Sequence, residues 1–291
     1  MYPTEVQLNE KNIQKLMDTL KRAYKEAEDE ILNATSYGVY QRRAIQTNIK
    51  KILTNLGEDV QTWLDEEIPN YYRAGASDAV EQLQFVGADI AVAKNFNLIN
   101  KEAIAALVDD ASRSFGDALT TLNRSANGIL SRAAKEEITQ RLAIGRIVGA
   151  NRQDVVKRVK AVLREDGISA LVDKSGRRWE LDTYADMLVR TKAVEARNRG
   201  LANRMVENGY DLVQVSNHSS KHQECAVWEG KILSLTGQTK GYSTVADAEA
   251  AGLFHPNCKH AINVITLGLA EQTRAYNSQT KQHENAYGLT L

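Results

Sequence analysis

Two short clusters of cysteine and histidine stand out in this chain. Both of its cysteines and four of its five histidines lie in residues 218–260. The first cluster has the pattern H-x-x-x-H-x-x-C over residues 218–225, and the second reads H-P-N-C-K-H over residues 255–260. Thiolate and imidazole are common zinc ligands, and both can also act as nucleophile or base. This stretch therefore indicates metal binding or thiol and imidazole catalysis.

The spacing of the clusters favours a structural zinc site. Such sites take four Cys or His ligands, commonly as two close pairs separated by a longer insert. The insert here is longer than in a common zinc finger, and the second pair has a single intervening residue. An alternative therefore stays open, in which the histidines bond to carbonyls and the cysteines are small buried hydrophobic residues. We predict one structural zinc ion with the ligands His222, Cys225, Cys258 and His260, for which His218 and His255 are alternates.

Catalytic interpretations have weaker support. A nuclease of the His-finger type uses one histidine to activate water and another to help hold a divalent ion. His255 and His260 are too close in sequence for the usual strand, turn and helix of that fold. A nucleophilic Cys225 or Cys258 would need an oxyanion hole, which no sequence context marks. The chain also lacks the phosphate-binding patterns G-x-x-x-x-G-K-[ST] and G-x-G-x-x-G. We assign no catalytic residues and expect no enzyme, with a metal-dependent nucleic-acid-processing nuclease as the alternative.

The net charge of the chain does not indicate a class of binding partner. The 291 residues are 43% apolar, and Lys plus Arg equal Asp plus Glu at 37 each, which suits a globular chain of one or two domains. The stretch from Arg152 to Arg199 has an excess of basic residues, which a solvated helix face or a phosphate-contacting face would explain. No apolar run is as long as a transmembrane helix, which needs about 20 residues. Residues 1–5 lack the basic start and apolar core of a signal peptide. We expect a cytoplasmic chain with reduced thiols.

The elements that precede the clusters are predicted to be helical. From Glu10 to about Arg164, helix-forming residues carry apolar side chains at three- and four-residue spacing. This pattern predicts a bundle or an elongated arm. Its stripes are Ile13, Leu16, Met17, Leu20 and Tyr24, then Ile45, Ile49, Ile52, Leu53 and Leu56, and finally Leu130, Ala134, Ile138 and Leu142.

The helix boundaries are predicted from glycine, proline and capping residues. The second stripe is expected to end near Gly57, and a new helix is expected after Pro69, because proline is tolerated in a first turn. A further helix is expected to begin after Asn100 as its N-cap and to continue, broken or bent, to Val148.

The second half of the chain predicts a small α+β domain. A short basic helix over residues 151–163 precedes a hairpin of residues 170–172 and 178–181. A helix is expected from Asp182 to Gly209. Strands are expected at 212–215, 231–235 and 261–265, with a helix at 245–251, so that the loops carrying the clusters meet. The predicted organisation is a helical region over 1–150, an α+β module over 151–268 and a polar tail over 269–291.

Four motifs of this second half occur in a specific order and spacing. They read Y-A-D-M-L-V-R-T from residue 184, G-Y-D-L-V and S-N-H over 209–218, C-x-x-W-E-G-K from 225, and G-L-F-H-P-N-C-K-H from 252. Together they resemble the phage minor capsid protein 2 family, relatives of the Mu F-like head-morphogenesis proteins. The resemblance covers the C-terminal half. The family often has arginine before the last histidine, where Lys259 retains a basic residue.

The resemblance implies a low-copy structural protein of a tailed bacteriophage or prophage. Its implied role is head morphogenesis, with a place in the virion interior near the portal and in the host cytoplasm before assembly. The implied partners are portal and capsid proteins, and packaged DNA through the stretch from Arg152 to Arg199. No membrane is implied, and neither is a catalyst.

Overall fold

A computed structural model describes residues 8–37, 42–88, 90, 98–144, 170–172, 178–219 and 222–280. Within these ranges the chain is α+β, as predicted: long helices come first, and short strands alternate with helices later. The elements are α1 (Glu10–Tyr37), α2 (Arg42–Phe85), α3 (Leu98–Ile144), β1 (Ala170–Val172), β2 (Arg178–Glu180), α4 (Leu181–Glu207), β3 (Leu212–Val215), α5 (Gln223–Ala226), β4 (Ile232–Ser234), α6 (Val245–Ala250), β5 (Ile262–Val264) and α7 (Leu267–Thr280).

The chain forms two compact units. The helix-rich unit comprises Glu10–Leu64 and Asp110–Asp186, and the sheet unit comprises Met1–Asn9, Asp65–Asp109 and Met187–Leu291. Each unit thus combines segments that are distant in sequence, because α2, α3 and α4 each contribute to both. The domain boundaries at residues 150 and 268 remain a prediction.

The helix-rich unit has the core that its apolar stripes predict. The first stripe buries Ile13, Leu16, Met17 and Leu20, and the second buries Ile45, Ile49 and Leu56. Two long-range hydrogen bonds accompany this packing: the Trp63 indole donates to the Asn12 carbonyl, and the Ser112 hydroxyl donates to the Gln61 side chain. The third stripe, from Leu130 to Leu142, lies on α3, but its side chains are outside the described residues, as is the helix expected over 151–163.

The predicted helix boundaries at Gly57 and Pro69 are wrong, because α2 passes through both. An interior glycine costs a helix about 1 kcal/mol and an interior proline about 3 kcal/mol. The helix tolerates both because its apolar face continues across them, and each buried side chain of this size contributes about 1.5–3 kcal/mol. The buried residues of this face are Leu56, Val60, Leu64, Ile68 and Tyr72.

The predicted N-cap at Asn100 is also wrong, because α3 already begins at Leu98. The buried Asn100 side chain instead accepts a 2.6 Å hydrogen bond from the Tyr72 hydroxyl and donates a 2.6 Å bond to Glu207. Those partners are distant in sequence, so local capping preferences could not reveal them. The helix is continuous to Ile144, and residues 145–148 are outside the described part.

Short strands agree closely with their predictions. The strands β1 and β2 form the expected antiparallel hairpin. In the sheet unit β3 lies between β4 and β5 and is antiparallel to both, with Val213 opposite Leu233 and Val264. The helix α4 begins one residue before Asp182 and is followed by Gly209 with a φ of 80°, the left-handed conformation common after a helix. The predicted polar tail contains most of α7.

The central sheet is buried on both faces. On one face Val213 and Val215 pack in a cluster with Leu201 and Met205 of α4. On the other face Leu212 packs with Ile265 and with Ala270 of α7. Burial on both faces explains why β3 reads as a nearly continuous apolar run.

The helices α2 and α4 cross closely within the sheet unit. Gly75 lies against the backbone of Arg197, and Gly200 lies against the backbone of Tyr72. A Cβ atom at either glycine would overlap a carbonyl oxygen of the other helix. The two helices can therefore approach this closely only because both positions lack a side chain. Arg197 also pairs with Asp78 beside the crossing.

We predict that Gly200→Ala lowers the free energy of unfolding by at least about 2 kcal/mol, because the new methyl group must displace helix backbone. Gly116→Ala is the matched control, since Gly116 is exposed on α3 with open space around it; it should gain up to about 1 kcal/mol. Urea denaturation of both variants measures the difference. Equal behaviour of the two would contradict the close crossing.

The residue immediately before β3, Asp211, is strongly hydrogen-bonded. Its carboxylate accepts hydrogen bonds from the hydroxyls of Ser234, Thr236 and Thr239, each at 2.6 Å, and from the backbone N–H groups of Thr236 and Thr239. Burial opposes its ionisation, but these bonds outweigh burial and lower the pKa of Asp211 to about 2. The carboxylate thereby ties the turn after β4 to β3.

Because the pKa of Asp211 is lower in the folded chain than its ordinary 3.8, this group stabilises the fold fully above about pH 4. Its contribution is lost as the pH falls towards 2. We predict that Asp211→Asn costs about 1–3 kcal/mol at neutral pH and flattens the dependence of the unfolding free energy on pH between 4 and 2. Glu271→Gln, on the exposed side of α7, is the control and should leave that dependence unchanged.

Candidate functional site

The sheet brings the two clusters together at one end of β3. The first cluster follows β3, and the second precedes β5, so the antiparallel pairing of these strands places both clusters at the same end. Ser216 continues the pairing beyond the strands: its N–H donates to the Ala261 carbonyl, and its hydroxyl accepts from the Ala261 N–H. All six predicted ligand residues belong to this cluster, together with Glu229.

The centre of the cluster consists of two thiols and one imidazole. The sulfur atoms of Cys225 and Cys258 are 3.6 Å apart, and the Cys258 sulfur is 3.1 Å from Nδ1 of His260. All three side chains are buried, with His260 only 1% exposed. The two cysteines are not joined by a disulfide. The three side chains therefore form a buried group of potential metal ligands rather than an exposed reactive site.

The second ring nitrogen of His260 faces a carboxylate. Nε2 of His260 is 3.1 Å from Oε1 of Glu229, which also accepts a hydrogen bond from the His218 N–H. The His218 and His260 rings are in contact, with centroids 4.0 Å apart. The sequence patterns did not indicate that Glu229 belongs to the site. The available signal was its place in the W-E-G-K motif that begins three residues after Cys225.

A pair of histidines flanks the other side of Cys225. The rings of His222 and His255 stack, with centroids 3.9 Å apart and planes inclined by 27°. Nδ1 of His255 is 2.7 Å from the Pro256 carbonyl oxygen. Because a carbonyl only accepts, Nδ1 carries the proton, and in the neutral ring Nε2 has the lone pair.

The potential donors fall into three overlapping groups, within each of which the atoms lie no more than 4.8 Å apart. Cys225 is shared by the first two groups, and His260 is shared by the last two. The four ligands predicted from the sequence span two of these groups. The groups are His222, Cys225 and His255; Cys225, Cys258 and His260; and His218, Glu229 and His260.

The protonation states follow from burial. Burial and the neighbouring His218 lower the pKa of His260, and Glu229 only partly opposes this. Burial raises the pKa of Cys258 to about 12. At neutral pH, in the absence of a bound cation, the imidazole is therefore neutral and donates Nε2–H to Glu229. The protonated Cys258 thiol donates to Nδ1.

The helix α4 supports the second cluster from behind. The N–H of Asn257, whose φ is 66°, donates to the Thr191 hydroxyl, and the Asn198 amide donates to the carbonyl of His260. The Thr191 hydroxyl in turn bonds to the Met187 carbonyl one turn earlier. Thr191 ends the motif Y-A-D-M-L-V-R-T, so this contact explains why a helical motif accompanies the H-P-N-C-K-H turn. The sequence alone indicated a structural role for Thr191 but had not singled out Asn198.

A cavity of about 460 Å³ lies between α4 and α6, and its wall includes His255 and Cys258. Its charged residues are mixed in sign: Lys192 is paired with Glu195 at 2.9 Å, and Arg199 accompanies Glu249. Burial raises the pKa of Glu249. The cavity therefore presents no strongly cationic surface for a phosphate backbone.

Comparison with protein families identifies what kind of chain has this arrangement. The model of the phage minor capsid protein 2 family matches residues 38–290. The chain belongs to this family. The match includes α2 and α3 as well as the four motifs, so the family region is wider than the C-terminal half that the motifs indicated. Comparison with curated proteins and with solved structures gives no match.

Family membership gives this chain a structural role in a phage, with capsid proteins as its class of partner and the virion as its location. None of the described helices is long and apolar enough to cross a membrane.

The burial of the thiols generates a test of their chemistry. We predict that, in the presence of a chelator, neither Cys225 nor Cys258 reacts rapidly with a disulfide reagent such as DTNB in the folded chain at pH 7–8. Both thiols are buried, and the raised pKa of Cys258 leaves almost no thiolate. Two thiols should react at once in denaturant. Rapid reaction of one thiol in the folded chain would instead indicate an activated nucleophile.

Proposed function

We propose that this member of the phage minor capsid protein 2 family is a head-morphogenesis component that acts in the capsid interior, next to the portal. The observation that carries the proposal is the family match over residues 38–290, joined to a His/Cys cluster that is buried and internally bonded. Such a cluster stabilises a module made of short strands and loops. The rest of the chain then serves as a surface for assembly.

The chemistry of the cluster favours an architectural role over an enzymatic one. A cysteine nucleophile needs a thiolate, whereas burial keeps the Cys258 thiol protonated. A general base needs to reach a substrate, whereas His260 is almost fully buried and already bonded through both ring nitrogens. We infer that the cluster holds the fold and performs no reaction.

The proposed protein partners are the portal and the capsid shell. The helices α2 and α3 have 44 and 47 residues, far longer than the average helix of a globular protein. Long helices provide many contact positions along a single element. This supports docking on a larger assembly, in which a low-copy component must bind several neighbours.

Packaged DNA is the second proposed partner, through the basic stretch from Arg152 to Arg199. Residues 152–169 of this stretch lie outside the described residues. In the described part of the stretch, Arg197 forms an ion pair with Asp78. Its positive charge is therefore already partly neutralised and less available to a phosphate. The proposal therefore depends chiefly on the sequence of residues 152–169, which includes Lys157, Arg158, Lys160 and Arg164.

Crosslinking mass spectrometry of purified particles tests the location. We predict that the chain is recovered from particles, that it is protected from protease until the head is opened, and that its crosslinks are to the portal and the inner capsid surface. Deletion of its gene should yield fewer DNA-filled heads. Absence from particles, or crosslinks confined to the outer surface, would contradict the proposal.

The DNA interaction is tested by the salt dependence of binding to duplex DNA. Reversal to glutamate of Lys157, Arg158, Lys160 and Arg164 should reduce the slope of log K against log salt by about 0.9 for each phosphate that the variant no longer neutralises. The matched control reverses four exposed lysines of α1, namely Lys11, Lys15, Lys21 and Lys25. An equal reduction in both variants would indicate a net-charge effect without a DNA site. The same preparations, incubated with plasmid and Mg²⁺, should leave the DNA intact.

A further inference from the structure

We infer that the cluster is a zinc site whose four ligands are Cys225, Cys258, Nδ1 of His260 and Nε2 of His255, with Glu229 as a positioning residue. This inference is independent of the proposed place in the virion, because it uses only the geometry of the sheet unit. It selects His255 as the fourth ligand, whereas the spacing of the sequence had favoured His222.

The first three ligands already have nearly the separation that zinc requires. Two thiolates about 2.3 Å from a tetrahedral zinc ion are about 3.8 Å apart, and a thiolate and an imidazole nitrogen are about 3.6 Å apart. The corresponding separations are 3.6 Å between Cys225 and Cys258, and 3.1 Å between Cys258 and His260. Small side-chain movements would therefore open the space between the donors for the ion.

The His260 ring is oriented as in many zinc sites. A metal-bound histidine commonly donates its other ring N–H to a carboxylate, which fixes the tautomer and makes the ligand more basic. Here Nε2 faces Glu229 and Nδ1 faces the sulfur of Cys258. Glu229 is itself held by the N–H of His218. The lone pair of His260 is thus directed to the thiol pair before any ion arrives.

His255 satisfies the same criterion, with a backbone carbonyl in place of the carboxylate. Its Nδ1–H is donated to Pro256, which leaves the lone pair on Nε2. Its carbonyl accepts the N–H of Cys258, so both residues belong to one tight turn. His222 is more exposed and stacks on the His255 ring, a position suited to holding that ring in place. His218 is grouped with Glu229 and not with the thiols.

Charge balance explains why an ion is favoured at so buried a position. A buried thiolate without a cation is strongly unfavourable, whereas two thiolates and Zn²⁺ have no net charge. Binding would convert the two thiols to thiolates and release two protons to solvent. The surrounding cluster is largely apolar and includes Val215 and Leu253, which would exclude water from the ligands.

The test uses the whole 291-residue chain, purified under reducing conditions and reloaded with Zn²⁺ or Co²⁺. We expect one zinc ion per chain, two protons released on loading, and a cobalt spectrum with tetrahedral bands and thiolate charge transfer. Zinc affinity, measured by competition with a chelator, should fall more than about a hundredfold in His255→Gln, which exceeds the effect of an outer residue. His222→Gln removes a ring that stacks on His255 but not a proposed ligand, so it should lower the affinity by no more than about tenfold.

Glu229→Gln tests the positioning role. It should retain one zinc ion and the cobalt charge-transfer bands while its affinity falls about 10–100-fold. Glu271→Gln is the control for removal of a carboxylate and should have no effect. Because ligand variants can unfold, circular dichroism of each variant without metal is recorded first, and affinities are compared only among folded variants.

Several results would overturn the inference. A folded wild-type chain that neither retains zinc nor shows thiolate-to-cobalt charge transfer would exclude the site. A larger decrease in affinity in His222→Gln than in His255→Gln would overturn the choice of the fourth ligand. Wild-type affinity in Glu229→Gln would overturn the positioning role. Each result leaves the crosslinking pattern in particles unaffected, so the site and the proposed place in the virion can fail separately.

Discussion

The central constraint in the sheet unit is the antiparallel pairing of β3 with β5. That pairing brings a loop that follows one strand beside a loop that precedes the other, and the hydrogen bonds between Ser216 and Ala261 extend it to the cluster. The thiols and imidazoles meet only because the strands are in this register. A shift by one residue would turn the side chains of one strand to the opposite face and disperse the donors.

The helix α4 connects this sheet to the rest of its unit. On one side Gly200 allows α2 to approach to backbone contact. On the other side Thr191 bonds to the turn that carries Cys258. Asn198 bonds to the carbonyl of His260, just before β5. The family motif in this helix therefore has a physical role without containing any ligand. It supplies the Thr191 hydroxyl, which accepts a hydrogen bond from the N–H of Asn257, a residue with a positive φ.

Three polar side chains at the centre of the module bond to one another. The Cys258 thiol, the His260 imidazole and the Glu229 carboxylate form one chain of hydrogen bonds inside an apolar surrounding. Such a network specifies one packing of the loops, because breaking any bond leaves a buried polar group without a partner. For a phage structural protein the benefit is a small domain that keeps its shape, since so little regular sheet is available to stabilise it.

The sequence by itself determined the α+β class, the apolar helix stripes, the hairpin of β1 and β2, and the strands of the central sheet. Each of these depends on the periodicity of near neighbours. It also identified all six cysteines and histidines of the cluster. It misjudged Gly57, Pro69 and Asn100, and it missed Glu229, because tertiary burial and partners distant in sequence decide those positions. Only the tertiary structure decided which donors face each other, since strand register and side-chain tautomers depend on contacts that no local pattern encodes.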